Sequence, residues 1–80
     1  MPSLRRMSGR AVLAVFESFG FVVQSQKGSH VKLRRLGPND ERQTLTIPNH
    51  SELDTGTLRA IIRQAARYVA MDELQRHFYG

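Results

Sequence analysis

The apolar residues of this chain change from a helical spacing to a period of two and back again, and this change constrains the fold more than any other feature. Behind Ser8, apolar side chains recur three and four residues apart at Val12, Val15, Phe16 and Phe19. The same spacing returns behind Asp54 in a longer series: Leu58, Ile61, Ile62, Ala65, Ala66 and Val69. Ser and Asp are preferred at helix N-caps, and this spacing aligns apolar residues on one helix face. The pattern predicts two amphipathic helices, followed by a short helical segment over residues 71–79.

Between the two helices, apolar and polar residues alternate in three runs that predict strands: 21–26, 29–36 and 42–47. Turn-forming residues separate the runs, at Lys27 and Gly28 and again at 37–40. Connections this short join antiparallel strands only. We therefore expect an α+β fold in the order α-β-β-β-α, with a three-stranded antiparallel sheet, helices on one face and the other face open. The whole chain, residues 1–80, is predicted to form a single domain.

Composition and charge narrow the classes of function. No apolar run reaches the roughly 18 residues of a membrane span, and without cysteine there is neither a disulfide nor a thiolate metal site. The beginning of the sequence lacks the apolar segment of a secretory signal, so we expect a cytoplasmic protein. The net charge of +5 favours an anionic partner.

The second predicted strand carries the residues best suited to chemistry. Val31 and Leu33 share the face that is expected to meet the helices, so His30, Lys32 and Arg34 point together to the open face. Positive neighbours favour the neutral form of a histidine, which can accept a proton while a cation holds a phosphate. This arrangement suits phosphodiester chemistry. Thr44 and Thr46 of the third strand are expected on the same face.

A second cationic surface is predicted on the long helix. Arg59, Arg63 and Arg67 recur every four residues opposite the apolar face. At the positive N-terminal end of this helix, the backbone N–H groups of Gly56 and Thr57 are expected to be free to bind an anion. Both features are interpreted as contacts for phosphate or for an acidic partner.

Other kinds of site find little support in the sequence. His50 follows Pro48 and Asn49 at the end of the third strand, and the simpler interpretation is a turn residue held by local hydrogen bonds. His77 lies in the terminal segment. Three histidines so widely spaced, without cysteine, do not form a zinc motif, so we expect no metal and no other cofactor. Neither paired catalytic carboxylates nor a phosphate-binding glycine loop occurs.

Three motifs in this order resemble the HicA toxins of toxin–antitoxin modules, over about residues 8–78. The first is Gly20-Phe21 followed by Gln26-Lys27-Gly28-Ser29-His30, the second is Ile47-Pro48-Asn49-His50, and the third is Gly56-Thr57-Leu58-Arg59 with Ile62, Gln64 and Ala65. One departure is visible. Arg67, Tyr68 and Val69 stand where relatives usually break the helix with a glycine, which leaves the geometry of the final segment open.

The resemblance implies a fold similar to double-stranded RNA-binding domains and an endoribonuclease activity that cleaves messenger RNA and stops translation. It also implies a HicB-type antitoxin as partner. In the family the histidine of the Gly-Ser-His motif is catalytic, which is His30 here. The residues expected to bind RNA are Lys27, Gly28, Ser29, Lys32, Arg34, Gly56, Thr57, Arg59 and Arg63.

An RNA strand carries its own nucleophile, the 2′-OH, so its cleavage needs no metal ion. We expect His30 to abstract or relay the 2′-OH proton while Lys32 and Arg34 neutralise phosphate oxygens. The sequence identifies no general acid: His30 could serve both steps through water, or the leaving oxygen could depart unassisted. Two other classes stay open, a noncatalytic double-stranded RNA-binding module and a protein-interaction module whose basic face docks an acidic partner. Asp54 and Thr55 replace the lysine cluster that the former would be expected to carry at the start of the long helix.

Overall fold

A computed structural model describes residues 2–80 and shows three helices and one sheet. The elements are α1 (Gly9–Ser18), β1 (Val22–Lys27), β2 (His30–Leu36), β3 (Arg42–Pro48), α2 (Thr55–Ala65) and α3 (Met71–Phe78). The strands pair antiparallel in the order β1-β2-β3. The predicted α+β class and the α-β-β-β-α order, similar to a double-stranded RNA-binding domain, are confirmed.

Local sequence explains where the first elements begin and end. The hydroxyl of Ser8 accepts a hydrogen bond from the backbone N–H of Ala11 and so caps α1, as predicted. Gly20, just after the helix, has a φ of 92°, which a residue with a side chain rarely adopts. The β1–β2 turn is Gly28-Ser29, with Lys27 opposite His30. Gly28 has a φ of 59°, which the first central position of a two-residue hairpin turn of type II′ requires.

The helices cover one face of the sheet, and the core lies between them. Val31 and Leu33 of β2 and Leu45 and Ile47 of β3 are all buried against this layer. The helices contribute a buried set that includes Val12, Phe16, Leu58, Ile61, Leu74 and Phe78. Two of these come from α3, and the ring of Phe78 lies 5.8 Å from that of Phe16. The terminal segment is therefore a docked helix and part of the core.

The long helix is shorter than its apolar pattern predicts. α2 ends at Ala65, and Val69 is buried in the connection to α3. Arg67 therefore lies beyond the helix, where its Nε donates to the carbonyl of Gln64 at 3.1 Å and its guanidinium lies 4.9 Å from the centre of the Tyr68 ring. The predicted three-arginine stripe was wrong at this position and is reduced to Arg59 and Arg63. No glycine ends the helix here. Instead, Val69 is buried and the carbonyl of Tyr68 accepts a hydrogen bond from Arg35, and both contacts hold the connection in place.

The two edges of the sheet differ. At β3, the Gln64 side chain accepts from the backbone N–H of Thr46 at 2.9 Å and donates to its carbonyl at 3.4 Å, so α2 covers this edge. At β1, all six residues are exposed, and the pairing with β2 is interrupted by a bulge between Val23 and Ser25. Among residues 2–80, no helix combines the length and apolar character needed to cross a membrane.

Candidate functional site

The open face of the sheet gathers the residues predicted to act on a phosphodiester. Residues directly opposite one another in a ladder share a face. Lys32 lies between Ser25 and Thr46, and Arg34 lies between Val22 and Thr44. His30 is exposed at the start of β2, beside Lys27. The predicted grouping of His30 with Lys32, Arg34, Thr44 and Thr46 is confirmed.

The charge on this face has one sign. None of the three strands contains Asp or Glu. Their register places four cations on the open face: Lys27, Lys32, Arg34 and Arg42. Arg34 is half-buried, and its Nε has no hydrogen-bond partner within residues 2–80. A surface with several cations attracts a polyanion, and without a carboxylate on the strands there is no negative charge to oppose its binding.

His50 reaches the same end of the sheet as His30. Its Nε2 lies 3.1 Å from the hydroxyl of Ser29, the residue that precedes His30. The two partners are 21 positions apart, so the expectation of a purely local hydrogen bond was wrong. The backbone supports the contact, since the N–H of Asn49 donates to the carbonyl of Ser29 at 2.6 Å. We call Ser29, His30, Asn49 and His50 the histidine end of the sheet.

The opposite end of β2 and β3 is held by a residue that sequence reasoning missed. Arg35 donates to the side chain of Gln43 at 2.6 Å, to the carbonyl of Phe19 at 2.7 Å and to the carbonyl of Tyr68 at 3.0 Å. Its guanidinium also lies 4.6 Å from the centre of the Phe21 ring. Gln43, which is buried, donates in turn to Glu41 at 3.1 Å. We call Arg35, Glu41 and Gln43 the arginine end.

A signal for Arg35 was present in the sequence. Strand residues alternate between the two faces, so Arg35 follows Val31 and Leu33 on the helix-facing side. A cation in that position must find acceptors in the layer behind the sheet. The sequence could not show which acceptors these are, because they lie far away in the chain.

The N-terminal end of α2 is capped by the carboxylate of Asp54, the residue before the helix. Asp54 accepts from the backbone N–H of Thr57 at 3.3 Å, and its second carboxylate oxygen would lie 3.7 Å from a Cβ at Gly56. Hydrogen bonds from the hydroxyl and the backbone N–H of Thr57 lower the pKa of the Asp54 carboxyl. The prediction that the Thr57 N–H is free was therefore wrong. A phosphate at Gly56 or Thr57 would meet a negative charge.

Arg59 and Arg63 lie on the helix side of the molecule, away from His30. They border a small hollow of about 300 Å³ between α2 and α3, with Met71 and Tyr79 among its other lining residues. The structure thus separates the two predicted groups of RNA-binding cations. His77 packs against Phe19 with ring centres 5.3 Å apart, at a third location. Within residues 2–80, no three His, Asp or Glu side chains cluster as metal ligands.

Fold and site together define a small basic α+β domain with an exposed histidine on a cationic sheet face. The family model described as the HicA toxin of bacterial toxin–antitoxin systems matches residues 9–66, more than half of the chain. The chain therefore belongs to the HicA toxin family, whose place in toxin–antitoxin modules implies an antitoxin partner. The match runs from α1 through the end of α2 and does not include α3. No curated protein and no solved structure matches the chain.

Proposed function

We propose that this HicA-family toxin is an endoribonuclease that cleaves messenger RNA, with His30 as its catalytic residue. One observation carries the proposal: His30 is exposed on a sheet face whose strands contain four outward cations and no carboxylate. A polyanion with an internal nucleophile is the substrate that such a face suits best. RNA has both properties, whereas DNA lacks the 2′-OH.

In the proposed reaction, the 2′-oxygen attacks the adjacent phosphorus and the 5′-oxygen of the next nucleotide leaves. His30 accepts the proton of the 2′-OH as general base. Lys32 lies two residues along the strand, about 7 Å away at about 3.3 Å per residue, where its ammonium group neutralises the charge that develops on the phosphate oxygens. The products carry a 2′,3′-cyclic phosphate and a 5′-OH. These steps require no metal and no other cofactor.

The proposed RNA path follows the open face and the hairpin turn. In this path Lys27, Lys32 and Arg34 bind phosphates. The turn formed by Gly28 and Ser29 allows the protein backbone to approach the RNA strand closely. Arg59 and Arg63 border the hollow between α2 and α3, so they are not part of the path proposed along the open face. Gly56 and Thr57 are left out of the path because Asp54 occupies that helix end.

The antitoxin partner is proposed to be of HicB type and to cover His30, placing acidic or carbonyl groups near Lys32 and Arg34. Such a complex silences the toxin by occupying the surface that binds RNA. Hydrogen exchange of the β2 amides should slow when the cognate partner is added. Unchanged exchange in β2 would contradict this arrangement.

The test of the activity is cleavage of an end-labelled RNA by the purified chain and by His30→Ala. The unmodified chain should cut the RNA in the presence of a chelator and leave a 2′,3′-cyclic phosphate or its hydrolysis product. A 2′-deoxy nucleotide at the cut site should block cleavage. Equal cleavage by His30→Ala would remove His30 from the mechanism. No cleavage by either protein, with RNA binding retained, would favour a noncatalytic double-stranded RNA-binding module.

RNA binding by the sheet face has its own test. If about four phosphates are neutralised, the logarithm of the association constant for single-stranded RNA should fall against the logarithm of salt concentration with a slope of about −3. Lys32→Gln should make the slope shallower by about 0.7, the value of one phosphate contact. An association constant that does not change with salt, or a slope that Lys32→Gln leaves unchanged, would argue against this surface.

A further inference from the structure

The histidine end contains a second proton-exchanging group that the proposed mechanism leaves unused. His50 Nε2 and Ser29 Oγ are 3.1 Å apart, within hydrogen-bond distance, and Ser29 is the chain neighbour of His30. A hydroxyl can accept one hydrogen bond and donate another at the same time. Ser29 can therefore connect His50 to an atom of a substrate held at His30.

The position of His50 is fixed from two sides. The hairpin holds it through the hydrogen bond from the Asn49 N–H to the Ser29 carbonyl, at 2.6 Å. Helix α1 holds it from the other side, because the N–H of Gly9 donates to the His50 carbonyl at 2.8 Å. A Cβ at Gly9 would overlap the carbonyl oxygen of Pro48 and the Cα of Asn49, so only glycine allows α1 to approach so closely. A loose turn residue would have no need of this support.

We propose that the Ser29–His50 pair delivers the proton to the 5′-oxygen that leaves when RNA is cleaved, an inference that rests on the proposed function. The O2′–P bond forms as His30 takes the 2′-OH proton. The P–O5′ bond breaks as the Ser29 hydroxyl gives its proton to O5′ and receives one from protonated His50. At the end His30 is charged, His50 is neutral, and Ser29 is unchanged. The step needs no other reactant. His50 acts through Ser29, so it is a positioning and proton-supplying residue.

A purely structural role for His50 makes a different prediction. Glutamine at position 50 retains a side-chain N–H that can donate to the Ser29 hydroxyl, but it has no proton to exchange near neutral pH. If His50 only holds the hairpin, His50→Gln keeps its activity. If His50 supplies a proton, His50→Gln loses activity although the hydrogen bond is retained.

The experiment uses the full chain with two RNA substrates that share one cleavage site, an ordinary RNA and one with sulfur in place of the leaving 5′-oxygen. A thiolate leaves without protonation far more readily than an alkoxide, so it makes a general acid unnecessary. His50→Gln and Ser29→Ala should each cleave ordinary RNA about 10²-fold more slowly than the unmodified chain, as for loss of a general acid. On the sulfur substrate both should recover to within a few-fold of the unmodified chain. His30→Ala should stay slow on both. His77→Gln, a histidine change distant from this end, should leave both rates unchanged.

The outcomes separate this inference from the proposed function. If the unmodified chain cleaves ordinary RNA and His50→Gln is equally fast, proton delivery by the pair is disproved while RNA cleavage stands. The same conclusion follows if His50→Gln is slowed equally on both substrates, because the loss of rate caused by a distorted site does not depend on the leaving group. If the unmodified chain cleaves neither substrate, the proposed function and this inference both fall.

Discussion

The two ends of the β2–β3 ladder lie on the same pair of strands, yet they are held together in different ways. At the arginine end, Arg35 binds the side chain of Gln43 and two backbone carbonyls, those of Phe19 and Tyr68. It thereby joins the sheet to the end of α1 and to the α2–α3 connection. At the histidine end, His30 and His50 are exposed. Here the side chains of His50 and Ser29 are joined by one hydrogen bond.

Because of this difference, a small chain can combine a stable fold with an accessible site. Carbonyl groups that are partly withdrawn from water are costly to leave without a partner, so a guanidinium that binds two of them stabilises the folded state. Exposed side chains with few protein partners contribute little to folding. They remain available to a substrate. We expect mutations at the arginine end to change stability and mutations at the histidine end to change chemistry.

The largest expected effect is at His30. His30→Ala should reduce the rate of RNA cleavage about 10²- to 10⁴-fold, as for loss of a general base. Because the side chain is exposed, the free energy of unfolding should change by no more than about 0.5 kcal/mol. Cleavage assays and thermal melts on the same preparation measure both quantities. A large fall in the melting temperature would show that His30 stabilises the fold, and the histidine end would then not differ from the arginine end in this respect.

The next effect is at Arg35. Arg35→Met keeps the aliphatic stem but leaves the carbonyls of Phe19 and Tyr68 without their donor, so unfolding should become easier by about 2–4 kcal/mol. Arg42→Met is the matched control, since Arg42 is an exposed arginine on the neighbouring strand. Urea titrations of the two variants give the comparison. If both variants lose the same stability, the contacts of Arg35 do not stabilise the fold more than an exposed arginine does.

A smaller effect is expected at Gly9, where α1 meets the histidine end. Gly9→Ala places a Cβ against the backbone of Pro48 and Asn49 and should cost about 1–3 kcal/mol, as other overpacked sites do. Gly56→Ala is the control. Its Cβ meets only the Asp54 carboxylate at an ordinary 3.7 Å, and Ala is favoured over Gly in a helix by about 0.5–1 kcal/mol. The two substitutions should therefore have opposite signs in denaturant titration, and agreement in sign would refute the close approach.

The smallest effect is a pH dependence that belongs to the arginine end. Hydrogen bonds from the backbone N–H groups of Glu41 and Asn39 and from the Gln43 amide lower the pKa of the Glu41 carboxyl below its ordinary 4.5. The unfolded chain then binds more protons in acid, so this contribution is present above about pH 4.5 and is lost as the pH falls through the folded pKa.

Glu41→Gln should therefore lower the melting temperature slightly at neutral pH, and the difference from the unmodified chain should shrink in acid. Glu17→Gln, an exposed change on α1, serves as the control. Melts recorded between neutral and acid pH test the prediction. A difference that stays constant with pH would mean that the Glu41 charge does not support the arginine end.

Much of this site could be predicted from local patterns. The placement of His30, Lys32 and Arg34 on one face follows from strand alternation, and the cap at Ser8 follows from its position before an apolar helical series. The prediction failed where a distant group competes with a local pattern. Arg67 continues a four-residue repeat, but the carbonyl of Tyr68 is held by Arg35 and the helix has already ended. A second failure is local: Thr57 lies in the first turn of α2, and Asp54, three residues before it, accepts its N–H.

Local sequence patterns are enough to predict which elements form, in what order, and which side chains of each strand share a face. These properties depend on periods of two and about 3.6 residues, which act between near neighbours in the chain. Tertiary packing sets the rest: His50 contacts Ser29, Arg35 joins three parts of the molecule, α3 docks into the core, and Arg59 and Arg63 border a hollow between α2 and α3. In each case the partners lie far apart in sequence, so local periodicity carries no information about the contact. The hydrogen bond between Ser29 and His50, for example, requires the pairing of β2 with β3, and the contact of α1 with the His50 carbonyl supports it.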